Sequence, residues 1–141
     1  KPIFNQNIIV KVGGASGFND DLKSGDIPFV VSSTDRTKLL KSIKYEPEKW
    51  IRPVPKPPRQ FTYQIFVNCK TRKENPFYML DKNISGNFTN YDASVLCIFV
   101  QCGLEQAKKI VKQLNTFDWE AMGIKRDGRY HFTQSVLKAI F

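Results

Sequence analysis

Lysine and arginine are the residues here whose type and spacing could do chemistry, and that chemistry is the neutralisation of phosphate. Eleven of the chain's 22 cations fall between residues 36 and 73: Arg36, Lys38, Lys41, Lys44, Lys49, Arg52, Lys56, Arg59, Lys70, Arg72 and Lys73. Only Glu46 and Glu48 oppose them, so this segment carries a net +9, the excess of the whole chain; elsewhere eleven cations meet eleven acids. Each cation that neutralises a phosphate releases condensed counterions, so a clustered excess is the footprint expected of a nucleic-acid-binding surface. A lysine-rich surface kept only for solubility would spread its excess along the chain. A second basic group, Lys125, Arg126 and Arg129, surrounds Asp127-Gly128. Trp50 lies within the basic segment, and with Tyr63 and Tyr78 it offers a ring on which a single-stranded base could stack, if exposed. The competing partner is an acidic or phosphorylated peptide within a larger nuclear assembly, read by the same clustered Arg and Lys.

Other chemistries are poorly supplied. Cys97, Cys102 and the single histidine, His131, lack a fourth ligand at metal-site spacing, so no metal and no cofactor is expected. One histidine without a paired nucleophile gives no catalytic constellation, and Asp118 and Glu120, two apart, would be well rotated from each other on a helix. The chain is not expected to be an enzyme. Gly13, Gly14 and Gly17 follow a strand-like stretch, but no Gly-Lys-Ser/Thr follows them, and Asp20 and Asp21 would repel a phosphate. Three cysteines, an odd number without repeated spacing, favour a reducing, intracellular compartment, with the nucleus the expected location. The sequons Asn83-Ile-Ser85 and Asn87-Phe-Thr89 are the contrary sign.

The composition, 41% hydrophobic and 25% charged over 141 residues, suits one globular domain. No apolar run approaches the roughly 20 residues that span a bilayer. The N-terminal KPIFNQNIIV resembles neither signal nor transit peptide, and the chain reads as a domain of a larger protein.

The elements that must hold the cations follow from periodicity. Residues 7–12 and 27–32 read as strands by their β-branched content. SSTDRTKLLKSI has helix-start chemistry, so a basic amphipathic helix is expected over 34–44, with Leu39, Leu40 and Ile43 inward. Pro53, Pro55, Pro57 and Pro58 then lock the chain into an extended form, so 46–60 is expected to be an ordered connector carrying its cations along a surface. The alternative is a ligand: Arg52-x-x-Pro55-x-x-Pro58 has the spacing read by SH3 domains, which would make residues 52–58 an SH3-binding segment on a scaffold.

FTYQIFVNC (61–69) alternates strictly, with Phe61, Tyr63, Ile65 and Val67 on one face and Thr62, Gln64, Phe66 and Asn68 on the other. PFYML (76–80) reads as the returning strand. The apolar run 94–102 suits a buried strand or a helix, and the strand is preferred. Residues 103–115 form an amphipathic helix with Leu104, Ala107, Ile110, Val111 and Leu114 on one face. Asp127-Gly128 predicts a tight hairpin, and Thr133 caps a last helix, 133–141. A helix followed by a basic hairpin resembles the recognition helix and wing of winged-helix proteins, but the three-helix run that precedes them there is missing. The expectation is a single α+β domain over 1–141: a mainly antiparallel or mixed sheet of about five strands, covered by about three helices.

Overall fold

The run Val95–Val100, VLCIFV, holds no polar residue because protein covers it on every side. In a computed structural model, which describes residues 8–15, 27–31, 41–43, 46–80 and 88–141, it is a strand and not a helix. The elements in chain order are β1 (Ile8–Val12), β2 (Ile27–Val30), β3 (Lys41–Ile43), a 3-10 turn (Pro47–Lys49), β4 (Tyr63–Asn68), β5 (Lys70–Thr71), β6 (Asn90–Tyr91), β7 (Val95–Val100), α1 (Leu104–Thr116), β8 (Lys125–Arg126), β9 (Arg129–His131) and α2 (Gln134–Ile140).

β7 is the middle strand of an antiparallel sheet, β1-β7-β4. Its register sets Ile9 opposite Phe99 on one side and Ile65 opposite Ile98 on the other. Successive side chains point to opposite faces, so the sheet divides two cores. Val10, Ile65, Val67, Leu96, Ile98 and Val100 pack against Ala107, Ile110 and Leu114 of α1, Leu137 and Ile140 of α2, and Trp119. Phe66, Cys97 and Phe99 pack on the other face against Phe29, Val30, Val31, Trp50, Val54 and Tyr91. The alternation read in 61–69 holds from Tyr63 onward. Phe61 departs from it: Gln60 has a positive φ of 65°, and the Phe61 ring meets Phe99 edge-on, 5.4 Å away, on the second face.

Two side-chain amides, one buried and one half-buried, tie irregular backbone to this frame. Gln64, fully buried, donates to the Thr89 carbonyl (3.0 Å) and accepts from the Thr89 N–H (2.7 Å). Asn115 on α1 does the same for both backbone groups of Phe77 (2.8 and 2.9 Å). Residues 76–80 are not a strand: Tyr78 forms a lone bridge with Phe66, and the backbone groups of Phe77, which face away from β4, are satisfied by the Asn115 side chain.

The α+β class holds, with mainly antiparallel sheets and one parallel pair, β2 with β6, but the element count differs. Among the described residues there are nine strands in three three-stranded sheets, and two α-helices. Residues 41–43, expected as the end of a helix, form β3, paired antiparallel with β2. Pairing to Ile27–Phe29 outweighs a local preference that is worth only tenths of a kcal/mol per residue. The remainder of that expected helix, with Arg36, Lys38 and Lys44, lies outside the described residues, as do Asn83 and Asn87 of the sequons. No helix among the described residues is long and apolar enough to cross a membrane.

Candidate nucleic-acid interface

The basic hairpin is built as its dipeptide requires. Asp127 and Gly128 both take positive φ, 54° and 76°, so the turn twists with its strands. Arg126 lies directly opposite Arg129, and Lys125 opposite Tyr130. Tyr130 is buried, stacked on Phe132 with ring centres 5.5 Å apart, and the Lys125 ammonium stands 5.0 Å from its ring centre. The base of the hairpin is fixed as well. Ile124 and Lys125 both donate to the Trp119 carbonyl (2.9 and 3.1 Å), and the Trp119 indole donates to the Leu114 carbonyl at the end of α1 (2.8 Å).

A third strand joins from far along the chain. β5 pairs with β9, setting Lys70 opposite His131 and Thr71 opposite Tyr130, and the Phe132 N–H bonds the Cys69 carbonyl (2.8 Å). Side chains alternate, so with Tyr130 turned into the core, Arg129 and His131 turn out, and Lys70 and Arg126 share their face. Arg72, two residues beyond Lys70, donates to the Asp127 carbonyl at the turn (3.1 Å). Lys70, Arg72, Arg126 and Arg129 are all exposed, and among the described residues none forms an ion pair. Exposed Lys73 follows, with Glu74 and Asp127 the nearby acids in sequence.

The structure therefore divides the charge-rich segment. Lys70 and Arg72 join Arg126 and Arg129, which with Lys125 sequence reading kept as a separate group, while Lys73 follows β5 in sequence. The other cations lie along the proline-rich arm. Lys49 is paired with Glu46 (2.8 Å). Arg52 exchanges both backbone hydrogen bonds with Ala15 (2.7 and 3.1 Å), Val54 is buried, and the Lys56 carbonyl accepts from the Lys11 ammonium (3.2 Å). The arm thus lies along the chain near β1, with Arg52, Lys56 and Arg59 exposed. Lys41 belongs to β3. Trp50, expected as an exposed ring, is 7% exposed and meets Phe29 edge-on at 5.4 Å. Tyr63 and Tyr78 are half-buried, Tyr78 stacked on Phe66, so neither is the open platform expected. Apolar burial takes these rings because each is worth about 1.5–3 kcal/mol or more when removed from water.

Gly13 and Gly14 have a structural reason, while Gly17, Asp20 and Asp21 lie outside the described residues. A side chain on Gly13 would strike the Asp92 carbonyl, and the N–H groups of Gly13 and Gly14 are bonded to Val95 and Tyr91 (3.2 and 3.0 Å). Those donors are engaged and do not face a phosphate. Cys97 lies buried in mid-strand while His131 belongs to a different sheet, and among the described residues no group of three or more potential ligands is placed to hold a metal ion. Burial raises the Cys97 and Tyr91 pKa values, and raises Cys69 with help from the charge of Asp92. Asp92 is itself pushed up by burial, against hydrogen bonds from Ser94 that favour its charged form.

Comparison with protein-family models, with curated proteins and with solved structures finds no match to this chain.

Proposed function

We propose that this chain binds nucleic acid through phosphate contacts, without a catalytic step, and that the outer face of the β5-β9-β8 sheet is the centre of the binding surface. The supporting observation is the pairing of Arg126 directly against Arg129, with Lys70 on the same exposed face, Arg72 reaching the turn, and no ion pair for any of the four among the described residues. Like charges directly opposite each other on a sheet weaken it. A fold keeps such a pair at a cost, and an anionic ligand offsets that cost. The exposed cations of the arm, Arg52, Lys56 and Arg59, extend the same electrostatic attraction.

Salt dependence tests the reading. Four neutralised phosphates give a slope of about −3.6 for log K against log salt, so raising salt from about 50 to 200 mM weakens binding by about 150-fold. An affinity flat over that range refutes phosphate contacts. Binding of an acidic or phosphorylated peptide with no binding of nucleic acid replaces this reading with the peptide one.

A further inference from the structure

Resting on the nucleic-acid reading, we infer that the ligand is double-stranded DNA and that the β8–β9 hairpin enters its major groove, with β5 tracking the adjacent backbone.

Proteins that hold single strands combine a cationic groove with exposed aromatic rings on which successive bases stack. Here every aromatic side chain whose burial is described is buried or half-buried, including all those between residues 50 and 80 and between 88 and 141. Tyr130, the ring nearest the cations, faces the core. Among the described residues, unstacked bases would meet no platform on this face. A duplex keeps its bases stacked and asks only for charge and shape.

The face has the shape of a two-stranded ribbon with a third strand beside it. The major groove of B-DNA, about 12 Å wide, admits such a ribbon, whereas the deep and narrow major groove of A-form RNA does not. Arg126 and Arg129 flank the tip, and arginine is the side chain that meets guanine O6 and N7 with two hydrogen bonds. Lys70 lies two strands from β8 across β9, about 10 Å away at ordinary strand spacing, where a ribbon in the groove places the phosphates of its wall, while Arg72 reaches back to the turn itself. Asp127 at the tip argues for the groove over a flat phosphate contact. Its carboxylate would repel a phosphate, but in the groove it meets the cytosine amino group as an acceptor. The hairpin is also held rigidly, by the buried Tyr130, the two bonds to the Trp119 carbonyl and the Arg72 bond to the turn. Little ordering is left to be done on binding.

The test titrates the intact chain with one sequence presented as duplex DNA, single-stranded DNA and duplex RNA, at one salt concentration. Duplex DNA binds tightest, by about tenfold or more, and the bound protein protects guanine N7 from methylation by dimethyl sulfate. Arg126→Gln with Arg129→Gln removes that protection and weakens duplex binding by about tenfold or more, with no fall in melting temperature. Equal or tighter binding of single strands or of duplex RNA overturns the inference and leaves the nucleic-acid reading standing, as does unchanged N7 reactivity. Binding of none of the three refutes both.

Discussion

Arg129→Glu is the substitution that separates binding from stability most sharply. Arg129 faces Arg126 across the hairpin, so the variant turns a repulsive cross-strand pair into an attractive one. Cross-strand pairs are worth about 0.2–1 kcal/mol, and exposure with salt screening keeps this one near the lower half, about 0.5 kcal/mol. For a domain of this size that raises the melting temperature by about 1–2 °C at low salt. Binding moves the other way. The variant loses one phosphate contact and adds a repulsion of similar size. At about 50 mM salt each contact multiplies affinity about fifteenfold relative to 1 M, so affinity falls by about two-hundredfold and the salt slope drops from about −3.6 to about −1.8. Fluorescence anisotropy with labelled duplex DNA and thermal unfolding followed by circular dichroism, each at low and high salt, read both effects. Lys138→Glu, on the exposed side of α2, carries the same change in net charge and serves as control. A lower melting temperature at low salt contradicts the cross-strand repulsion. Equal losses of affinity in the two variants reduce binding to a net-charge effect and refute the assignment of this face.

Other outcomes probe the frame that holds the site. Gln64→Leu strips the Thr89 backbone of two hydrogen bonds, lowering stability by about 2–4 kcal/mol in urea unfolding and speeding hydrogen exchange at Thr89. Trp50→Ala removes a buried ring from beside Phe29 and costs about 3–5 kcal/mol by the same measurement, with the arm made more open to proteolysis at Arg59. Alkylation by a maleimide reaches half-buried Cys102 first, while Cys97, buried and with its thiol pKa raised, reacts only on unfolding. Asp92 makes stability depend on pH. Burial raises its folded pKa above the ordinary 3.8, so the folded chain holds a proton that the unfolded chain has lost, and stability falls as pH rises from about 3.8 through the folded value. Asp92→Asn keeps an acceptor for the Ser94 N–H and removes that fall, which urea titrations across this range detect as a flatter profile.

Residues 103–115 announce α1 because an apolar stripe at helical period needs no knowledge of what it packs against, and the helix runs Leu104–Thr116. Thr133 was legible as a cap, and its hydroxyl accepts from the Val136 N–H (3.2 Å). Asp127-Gly128 announced the hairpin through the dihedrals those residues tolerate, and the alternation of Tyr63 to Asn68 announced a strand. All of these are local rules, written in neighbouring residues. The proposed binding face is of another kind. Lys70 meets His131 only because β5 reaches across about sixty residues of chain to β9, and a two-residue strand is too short to show a period. Burial of Trp50 and the pairing of residues 41–43 likewise depend on surfaces contributed from elsewhere. The excess of charge was determined by the sequence alone. Which cations stand together was decided by the tertiary structure, since exposed side chains obey no packing pattern and take their positions from the backbone that carries them.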